Sequence, residues 1–316
     1  MRVINQMAVA FDIIGDIHGH ADQLEKLLQK MGYDNRAGAW RHAERQAAFV
    51  GDLIDRGDHQ LRTLQIVRGM IDAGSARATM GNHEFNAIAF ATPDPVHPGQ
   101  HLRARNGDKG QKSRHQHQAF LSEVGEDSDE HKWWIDWMME LPLWIEESEF
   151  RVVHACWDTK CVETLRPHLR EGERLSAELV ERASRKGSDM YGAIETLLKG
   201  EEVTLPDGMS FHDKDGHERH EIRTQWWDAN LVTYRQACIG LSPETVPDIA
   251  IVGRDPIPEP DRPTFIGHYW LSQRDGMAPR THRVACVDYS AGKGGPLVAY
   301  RFDGEAELTA DKFIAA

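Results

Sequence analysis

The chain has 316 residues, of which 40% are hydrophobic, so it is long enough to bury a substantial core within one large domain. Its formal net charge of −13 at pH 7 repels polyanions, which excludes non-specific binding to nucleic acid as a principal function. No segment approaches the ~20 consecutive apolar residues that span a bilayer, and the first residues lack a signal-peptide pattern.

The four cysteines, at positions 156, 161, 238 and 286, are scattered and form no Cys-x-x-Cys pair. This usage is typical of a reduced protein rather than of a secreted protein stabilised by disulfides. We therefore expect a cytoplasmic protein that has no membrane partner.

Strand and helix patterns alternate at the start of the chain. Residues 8–14 predict a buried strand, which is followed by an amphipathic helical stripe from Leu24 to Met31. A second strand at 46–50 precedes a second stripe from Leu61 to Ile71, and a third strand covers 76–80. This alternation predicts a mostly parallel sheet whose loops meet at the carboxyl ends of the strands, where ligand crevices form.

The remainder of the chain is richer in strand patterns. Residues 143–146 and 150–154 predict a hairpin, and further strands are predicted at 264–268, 283–288 and 297–302. These strands predict a second sheet packed on the first. The expected fold class is α/β, with a two-sheet β-sandwich flanked by helices.

Two inserted segments, about 85–140 and 160–245, interrupt this frame, and we expect a single domain over 1–316. Short helices are predicted in the second segment near 176–184 and 189–199. The first segment contains a basic run that predicts a solvated surface, or alternatively a surface that steers phosphate toward a site. Its members are His97, His101, Arg103, Arg105, Lys109, Lys112, Arg114, His115 and His117.

Five short motifs follow predicted strands: Gly-Asp-Ile-His-Gly at 15–19, Gly-Asp-Leu-Ile-Asp-Arg-Gly at 51–57, Gly-Asn-His-Glu at 81–84, Val-His-Ala at 153–155 and Gly-His at 267–268. Taken singly, the shorter elements are more often turns than ligands, but their combination favours a metal site. Their candidate ligands offer oxygen and nitrogen donors without a thiolate, and they are Asp16, His18, Asp52, Asn82, His154 and His268. Such donors suit Mn²⁺, Fe, Co²⁺, Ni²⁺ or Zn²⁺, and a pair of divalent ions is suited to phosphate-ester hydrolysis.

These motifs resemble those of calcineurin-like metallophosphoesterases. The motif at 51–57 is particularly similar to the branch that contains the PPP-type serine/threonine phosphatases and the symmetrical diadenosine tetraphosphate hydrolases. Residues 286–300 resemble the closing strands of that branch. The resemblance implies that one ion is held by Asp16, His18 and Asp52, and that a second is held by Asp52, Asn82, His154 and His268.

The resemblance also implies roles for residues between the ligands. Arg56 would bind phosphate oxygens, with Asn82 and Arg223 as further substrate-binding residues. His83 would protonate the leaving oxygen and would be oriented by Asp55, while a hydroxide bridging the two ions attacks phosphorus in line. Alternatively, Asp55 and Arg56 pair with each other at the start of a helix.

We therefore expect a metal-dependent hydrolase of phosphomonoesters or phosphoanhydrides that acts on a phosphorylated small molecule or a nucleotide. The expected cofactor is two divalent ions, with Mn²⁺ placed first and Fe, Zn, Co and Ni as alternatives. A serine/threonine phosphatase acting on phosphoproteins is one alternative function, and a non-catalytic metal-binding interaction scaffold is another. Cys156 stands where related enzymes commonly have glycine after His-Ala, and Trp157 adds bulk beside the predicted site, so the substrate stays open. Cys156 is predicted to be a small buried thiol rather than a nucleophile.

Overall fold

The computed structural model describes residues 10–212 and 218–316. In chain order, the strands of these residues are β1 (Ala10–Ile14), β2 (Asp34–Arg36), β3 (Ala39–Arg41), β4 (Arg45–Phe49), β5 (Ala76–Ala78), β6 (Trp144–Glu146), β7 (Arg151–Val153), β8 (Glu202–Thr204), β9 (Phe211–His212), β10 (Glu218–Arg219), β11 (Glu221–Arg223), β12 (Thr264–Ile266), β13 (Val284–Cys286), β14 (Val298–Phe302) and β15 (Phe313–Ala315). The α-helices are α1 (Ala21–Met31), α2 (Gln60–Asp72), α3 (Asn82–Ala91), α4 (Gly107–Gln116), α5 (Gln118–Val124), α6 (Asp129–Met138), α7 (Thr159–Leu165), α8 (Ala177–Ala183), α9 (Asp189–Lys199) and α10 (Tyr234–Ala237).

A five-stranded sheet of order β15-β14-β1-β4-β5 contains the predicted parallel strands β1, β4 and β5. Helices α1 and α2 connect these three strands. The predicted stripe on α1 is buried throughout, at Leu24, Leu27, Leu28 and Met31. On α2 the buried positions include Leu64 and Val67, whereas the predicted Leu61 and Ile71 are only partly buried.

A four-stranded sheet of order β13-β12-β7-β6 contains the predicted hairpin as β6 and β7, with β7, β12 and β13 parallel. The prediction for 297–302 was wrong in one respect, because β14 lies in the five-stranded sheet and pairs antiparallel with β1. That position lets Val298, Tyr300 and Phe302 pack into the core between the two sheets, where they bury apolar surface.

The two sheets share one core and are each covered on both faces. Alternate residues point to opposite sides of a strand, so Ile13 joins the cluster between the sheets while Ile14 joins the cluster under the helices. In the four-stranded sheet, Val152 likewise joins the cluster between the sheets, and Val153 joins the cluster under the helices. The α/β class with two packed sheets and flanking helices is therefore confirmed, and the parallel strand ends meet at the edge where the motifs lie.

The inserted segments add helices around this frame. Helix α3 continues past residue 85 to Ala91, and the first segment then forms α4, α5 and α6. The second segment contains α8 and α9 at the two predicted positions, with short two-stranded ladders after them. Within the residues that the structure describes, no helix combines the length and the apolar character that a membrane crossing requires.

Candidate metal centre

The predicted ligands lie just beyond the carboxyl ends of strands from both sheets. Asp16 follows β1, Asp52 follows β4 and Asn82 begins α3 after β5, all from the five-stranded sheet. His154 follows β7 and His268 follows β12 in the four-stranded sheet. Because the two sheets pack face to face, these loops converge on one buried cluster.

Two groups of donor atoms share the Asp52 carboxylate. Donor atoms of His18, Asp52 and His83 lie within 4.8 Å of one another, and those of Asp52, His154 and His268 form a second such group. Asp52 Oδ2 is 3.6 Å from His18 Nε2, and Asp52 Oδ1 is 3.4 Å from His154 Nε2. Asp52 is thus placed between the two groups, with one oxygen facing each.

Asn82 and Asp16 complete the cluster. Asn82 Oδ1 is 3.1 Å from His154 Nε2 and 2.8 Å from His268 Nδ1. Asp16 Oδ2 accepts a 3.0 Å hydrogen bond from the backbone N–H of His268. The structure therefore brings all six predicted ligands together, and each of them is buried.

The orientation of the rings and the free donor atoms fits bound cations. His18 Nδ1 and His154 Nδ1 donate to the carbonyl oxygens of Ile54 and Val50 at 2.9 and 2.8 Å, which turns each Nε2 toward the cluster. Among the described residues, Asp16 Oδ1, His18 Nε2 and His268 Nε2 are buried without any hydrogen-bond partner. Buried polar atoms are normally paired, so oxygen and nitrogen atoms left free in this way are suited to divalent metal ions.

The backbone is constrained around these side chains. A Cβ atom on Gly81 would lie 2.2 Å from Asp52 Oδ1, and one on Gly267 would lie 2.0 Å from Asp16 Oδ1. The candidate ligands His18, Asp52 and His268 have positive φ angles of 48°, 50° and 71°. Non-glycine residues rarely adopt this region, and such strain is concentrated at functional sites.

The charges of the cluster are strongly coupled. Burial would raise the pKa of Asp52, but the positive charges of His154 and His83 lower it well below its usual value. Burial and the neighbouring Asp288 raise the pKa of Asp16 well above its usual value. Burial would lower the pKa of His154, but the charges of Asp52 and Asp16 raise it to about 10. In the metal-free protein, His154 and Asp52 therefore each favour the charged form of the other.

Glu84, the last residue of the Gly-Asn-His-Glu motif, was not assigned a role from the sequence. It is fully buried, and its two carboxylate oxygens accept hydrogen bonds from four backbone N–H groups. Gly81 and Asp52 donate to Oε2, while Leu53 and Ile54 donate to Oε1. Glu84 thus ties the loop that carries Asp52 to the start of α3. Its place in the motif was the only sequence signal of this role.

His83 and Asp55 form a buried pair beside the cluster. His83 Nδ1 is 2.6 Å from Asp55 Oδ2, and His83 Nε2 lies 3.8 Å from Asp52 Oδ2. Burial would lower the pKa of His83, but the charges of Asp52 and Asp55 raise it above its usual value. Asp55 therefore pairs with His83 rather than with Arg56, the alternative that the sequence left open.

His117 contacts the same pair, contrary to the prediction of a solvated basic run. Its side chain is fully buried, and its Nδ1 atom is 2.9 Å from Asp55 Oδ2. The prediction for His117 was wrong because its hydrogen-bond acceptor is the carboxylate of Asp55, which lies 62 residues earlier in the chain. The composition of the basic run does not show such a contact. Burial would raise the pKa of Asp55, but the neighbouring His117 and His83 lower it to about 2.

Arg56 lies over an aromatic side chain next to the ligands. Its Cζ atom is 4.6 Å from the ring centroid of Trp270, and Lys293 Nζ is 3.6 Å from the same centroid. The Trp270 ring also stacks on His18 with centroids 5.4 Å apart. The motifs gave no signal for Trp270 or Lys293, because both lie outside the residues that supply ligands.

Arg223 lies at the end of β11, near His268. Burial is the largest cause of the lowered pKa of His268, and the positive charge of Arg223 is the second. The Nη2 atom of Arg223 is 3.4 Å from a carboxylate oxygen of Glu202, and its Nε atom is buried without a hydrogen-bond partner in the described part of the chain. The structure therefore brings Arg223 within electrostatic range of the candidate ligands.

Cys156 and Trp157 pack into the interior. Cys156 is fully buried, and burial raises the pKa of its thiol well above the usual value, as expected for an inert thiol. Trp157 is 4% exposed, its ring meets the edge of Trp144 and the Arg151 guanidinium lies 4.4 Å from its centroid. These contacts favour the buried-thiol interpretation over a nucleophilic one.

Comparisons with known proteins agree with this geometry. The family model for the calcineurin-like phosphoesterases matches residues 9–162. A protein of Halalkalibacterium halodurans named bis(5'-nucleosyl)-tetraphosphatase PrpE (asymmetrical) is 46% identical over 74 residues, which are 23% of this chain and 30% of that protein. The Bacillus subtilis protein of the same name is 38% identical over 89 residues, which are 28% of this chain and 36% of that protein. This chain therefore spans only about a third of the length of these curated relatives.

A solved structure extends the likeness across the fold. A protein serine/threonine phosphatase from Saccharomyces cerevisiae with similarity to human phosphatase PP5 has a TM-score of 0.52 and 12% sequence identity. The match covers 98% of this chain and 80% of that chain, and it shows a shared fold. Residues 9–162, slightly less than half of the chain, are thus similar to the calcineurin-like phosphoesterases, and they contain four of the five motifs.

Proposed function

We propose that this protein is a dinuclear-metal hydrolase of phosphomonoesters or phosphoanhydrides. The single observation that supports this most strongly is the position of Asp52, whose two carboxylate oxygens face two separate groups of donor atoms. A carboxylate in that position is suited to join two ions, and a pair of ions is suited to phosphate chemistry.

The proposed ligands are the six buried residues of the cluster, divided between two ions as the resemblance implies. One ion would be held by Asp16, His18 and Asp52, and the other by Asp52 with Asn82, His154 and His268. Mn²⁺ is the proposed ion, and Fe, Zn, Co and Ni are alternatives that accept the same donors. Such ions, when bound, neutralise charge on phosphoryl oxygens and make water a better nucleophile.

The protein side chains would bind the phosphate and supply a proton. Arg56 is exposed beside the ligands, and its planar guanidinium matches two phosphoryl oxygens. Arg223 and Asn82 are the other proposed contacts with the substrate. Because Asp55 accepts from His83 Nδ1, the Nε2 atom of His83 is the one available to protonate the leaving oxygen.

The substrate proposed is a phosphorylated small molecule, in particular a nucleotide or a dinucleoside polyphosphate. The names of the relatives, bis(5'-nucleosyl)-tetraphosphatase (asymmetrical), support this class, whereas the motif at 51–57 resembles the branch with the symmetrical hydrolases. The alternatives are a phosphoprotein substrate and a non-catalytic metal-binding scaffold. The four cysteines are free thiols, which supports a proposed cytoplasmic location.

The test is a panel of substrates against metal ions. p-Nitrophenyl phosphate, a phosphodiester, diadenosine tetraphosphate, nucleotides and a phosphopeptide are each assayed with Mn²⁺, Ni²⁺, Co²⁺, Mg²⁺ and Zn²⁺. We expect hydrolysis of a nucleotide substrate, and we expect Asp52→Asn to lose both activity and bound metal. Asp136→Asn, an exposed change on α6, is the matched control that should retain both. Inactivity on the whole panel, together with unchanged metal content in Asp52→Asn, would overturn the proposal.

A further inference from the structure

Two buried histidines share one oxygen of Asp55. Oδ2 of Asp55 is 2.6 Å from His83 Nδ1 and 2.9 Å from His117 Nδ1. His83 belongs to the Gly-Asn-His-Glu motif at 81–84, whereas His117 lies between α4 and α5 of the first inserted segment. The inserted segment therefore reaches the carboxylate that orients the proposed acid.

Each ring can be assigned the proton that this contact requires. Asp55 is an acceptor when ionised, so both Nδ1 atoms donate to it. His117 Nε2 is buried and has no hydrogen-bond partner in the part of the chain that the structure describes, so the hydrogen bond of this ring runs through Nδ1 to Asp55.

The loop that carries Asp55 needs support because its backbone is strained. Asp55 and Arg56 both have φ angles of +73°, a region that non-glycine residues rarely adopt. The side chain of Gln60 spans this loop, since its Oε1 accepts from Asp55 N–H at 2.6 Å and its Nε2 donates to the Gly57 carbonyl oxygen at 2.6 Å.

Helix α5 holds the same loop from a second point. Glu123 on α5 accepts hydrogen bonds from the backbone N–H groups of Gln60 and Leu61, at 2.6 and 2.9 Å, and so caps the first turn of α2. His117 immediately precedes α5 and binds the Asp55 side chain. Helix α5 and the residue before it therefore make two contacts here: His117 binds Asp55 of the strained loop, and Glu123 binds the start of α2, which follows the loop.

We propose that His117 is a positioning residue, which holds the Asp55 carboxylate in the orientation that directs His83 Nε2 toward the leaving oxygen. The inserted segment thereby becomes part of the acid machinery rather than a surface addition. This inference rests on the proposed function, because it concerns the proton that His83 would deliver.

Three variants separate this role from simple packing. His117→Leu removes the N–H donor, while His117→Asn retains a side-chain donor close to the position of Nδ1. His131→Leu is the matched control, because His131 is 2% exposed, as deeply buried as His117, and lies in the neighbouring α6. The ring of His131 contacts Phe120 and the Asp127 backbone rather than Asp55.

The first measurement compares leaving groups with the manganese-loaded proteins. We expect His117→Leu to lower kcat on phenyl phosphate by roughly 10–100-fold, the effect of losing an outer-sphere partner. The loss on p-nitrophenyl phosphate should be at most about threefold, because its leaving group needs little protonation. His117→Asn should recover most of the kcat that His117→Leu loses on phenyl phosphate. His131→Leu should change kcat on both substrates by the same factor. Equal losses on the two substrates in His117→Leu would overturn the inference.

The second measurement does not depend on activity. The ring N–H proton of His83 is followed by NMR in the metal-free, ¹⁵N-histidine-labelled protein and is assigned by its disappearance in His83→Gln. We expect this resonance to shift or broaden in His117→Leu and to stay in place in His131→Leu. An unchanged resonance in His117→Leu would refute the positioning role even if the wild-type protein hydrolysed none of the phosphates. That inactivity, together with an unchanged metal content in Asp52→Asn, would separately overturn the proposed function.

Discussion

Replacement of Glu84 by glutamine is expected to destabilise the protein before any metal is bound. The four backbone N–H groups that donate to Glu84 divide equally between its two oxygens. Glutamine offers one oxygen and one amide group, so two of the four N–H groups would face another donor. Each buried donor left without an acceptor costs about 1–3 kcal/mol, which predicts a loss of about 2–6 kcal/mol. That is a large part of the ~5–15 kcal/mol by which a typical domain is stable.

The assay is urea unfolding of the metal-free protein, followed by circular dichroism. Glu123→Gln is the control, because Glu123 also accepts from two backbone N–H groups but is only partly buried. Water can reach the partly exposed Glu123 carboxylate itself, so a loss of about 1 kcal/mol or less is expected there. If Glu84→Gln unfolds within about 1 kcal/mol of the wild type, the argument that this carboxylate holds the ligand loop is refuted.

Three further predictions concern the site itself. His83→Ala should slow phenyl phosphate hydrolysis by roughly 10²–10⁴-fold and p-nitrophenyl phosphate far less, and equal losses measured by steady-state kinetics would contradict an acid role. Burial would lower the pKa of His154, but the charges of Asp52 and Asp16 raise it to about 10, so this histidine is protonated at pH 7 in the metal-free protein. Binding of Mn²⁺ should therefore release protons into a weakly buffered solution, and the affinity for Mn²⁺ should increase as pH rises. If calorimetry shows no proton release on binding, the result would argue against His154 as a ligand. Arg56→Lys should reduce kcat/KM on p-nitrophenyl phosphate by roughly 10–100-fold, since one charged hydrogen bond is lost, whereas unchanged kinetics would exclude Arg56 from phosphate binding.

The sequence predicted the location of the site because its motifs are local features of strand ends. Asp16, Asp52 and Asn82 each follow a short apolar run, and parallel strands place their carboxyl ends at one edge. Hydrophobic periodicity was sufficient to predict these strands. The two sheets then had to pack face to face before His154 and His268 could join the same cluster.

Contacts between distant segments could not be predicted in this way. Glu84 has an ordinary position on a helix, and its role appears only when the Asp52 loop folds back over the start of α3. Asp288, whose charge contributes to the raised pKa of Asp16, follows β13 of the four-stranded sheet. His117 lies in a strongly basic run that composition assigns to the surface. It is buried instead and contacts Asp55, a residue that no local pattern connects to it.

The division of the candidate ligands between two sheets has a mechanical consequence. Asp16, Asp52 and Asn82 follow strands of the five-stranded sheet, while His154 and His268 follow strands of the four-stranded one. A cation held by Asp52 and Asn82 together with His154 and His268 would act as a cross-link at one end of the interface between the sheets. Chelation is then expected to speed amide hydrogen exchange in β7 and β12 together with β1 and β4, because the sheets would lose a common tether. The stability of the folded protein in the cell would then depend on the supply of metal ions.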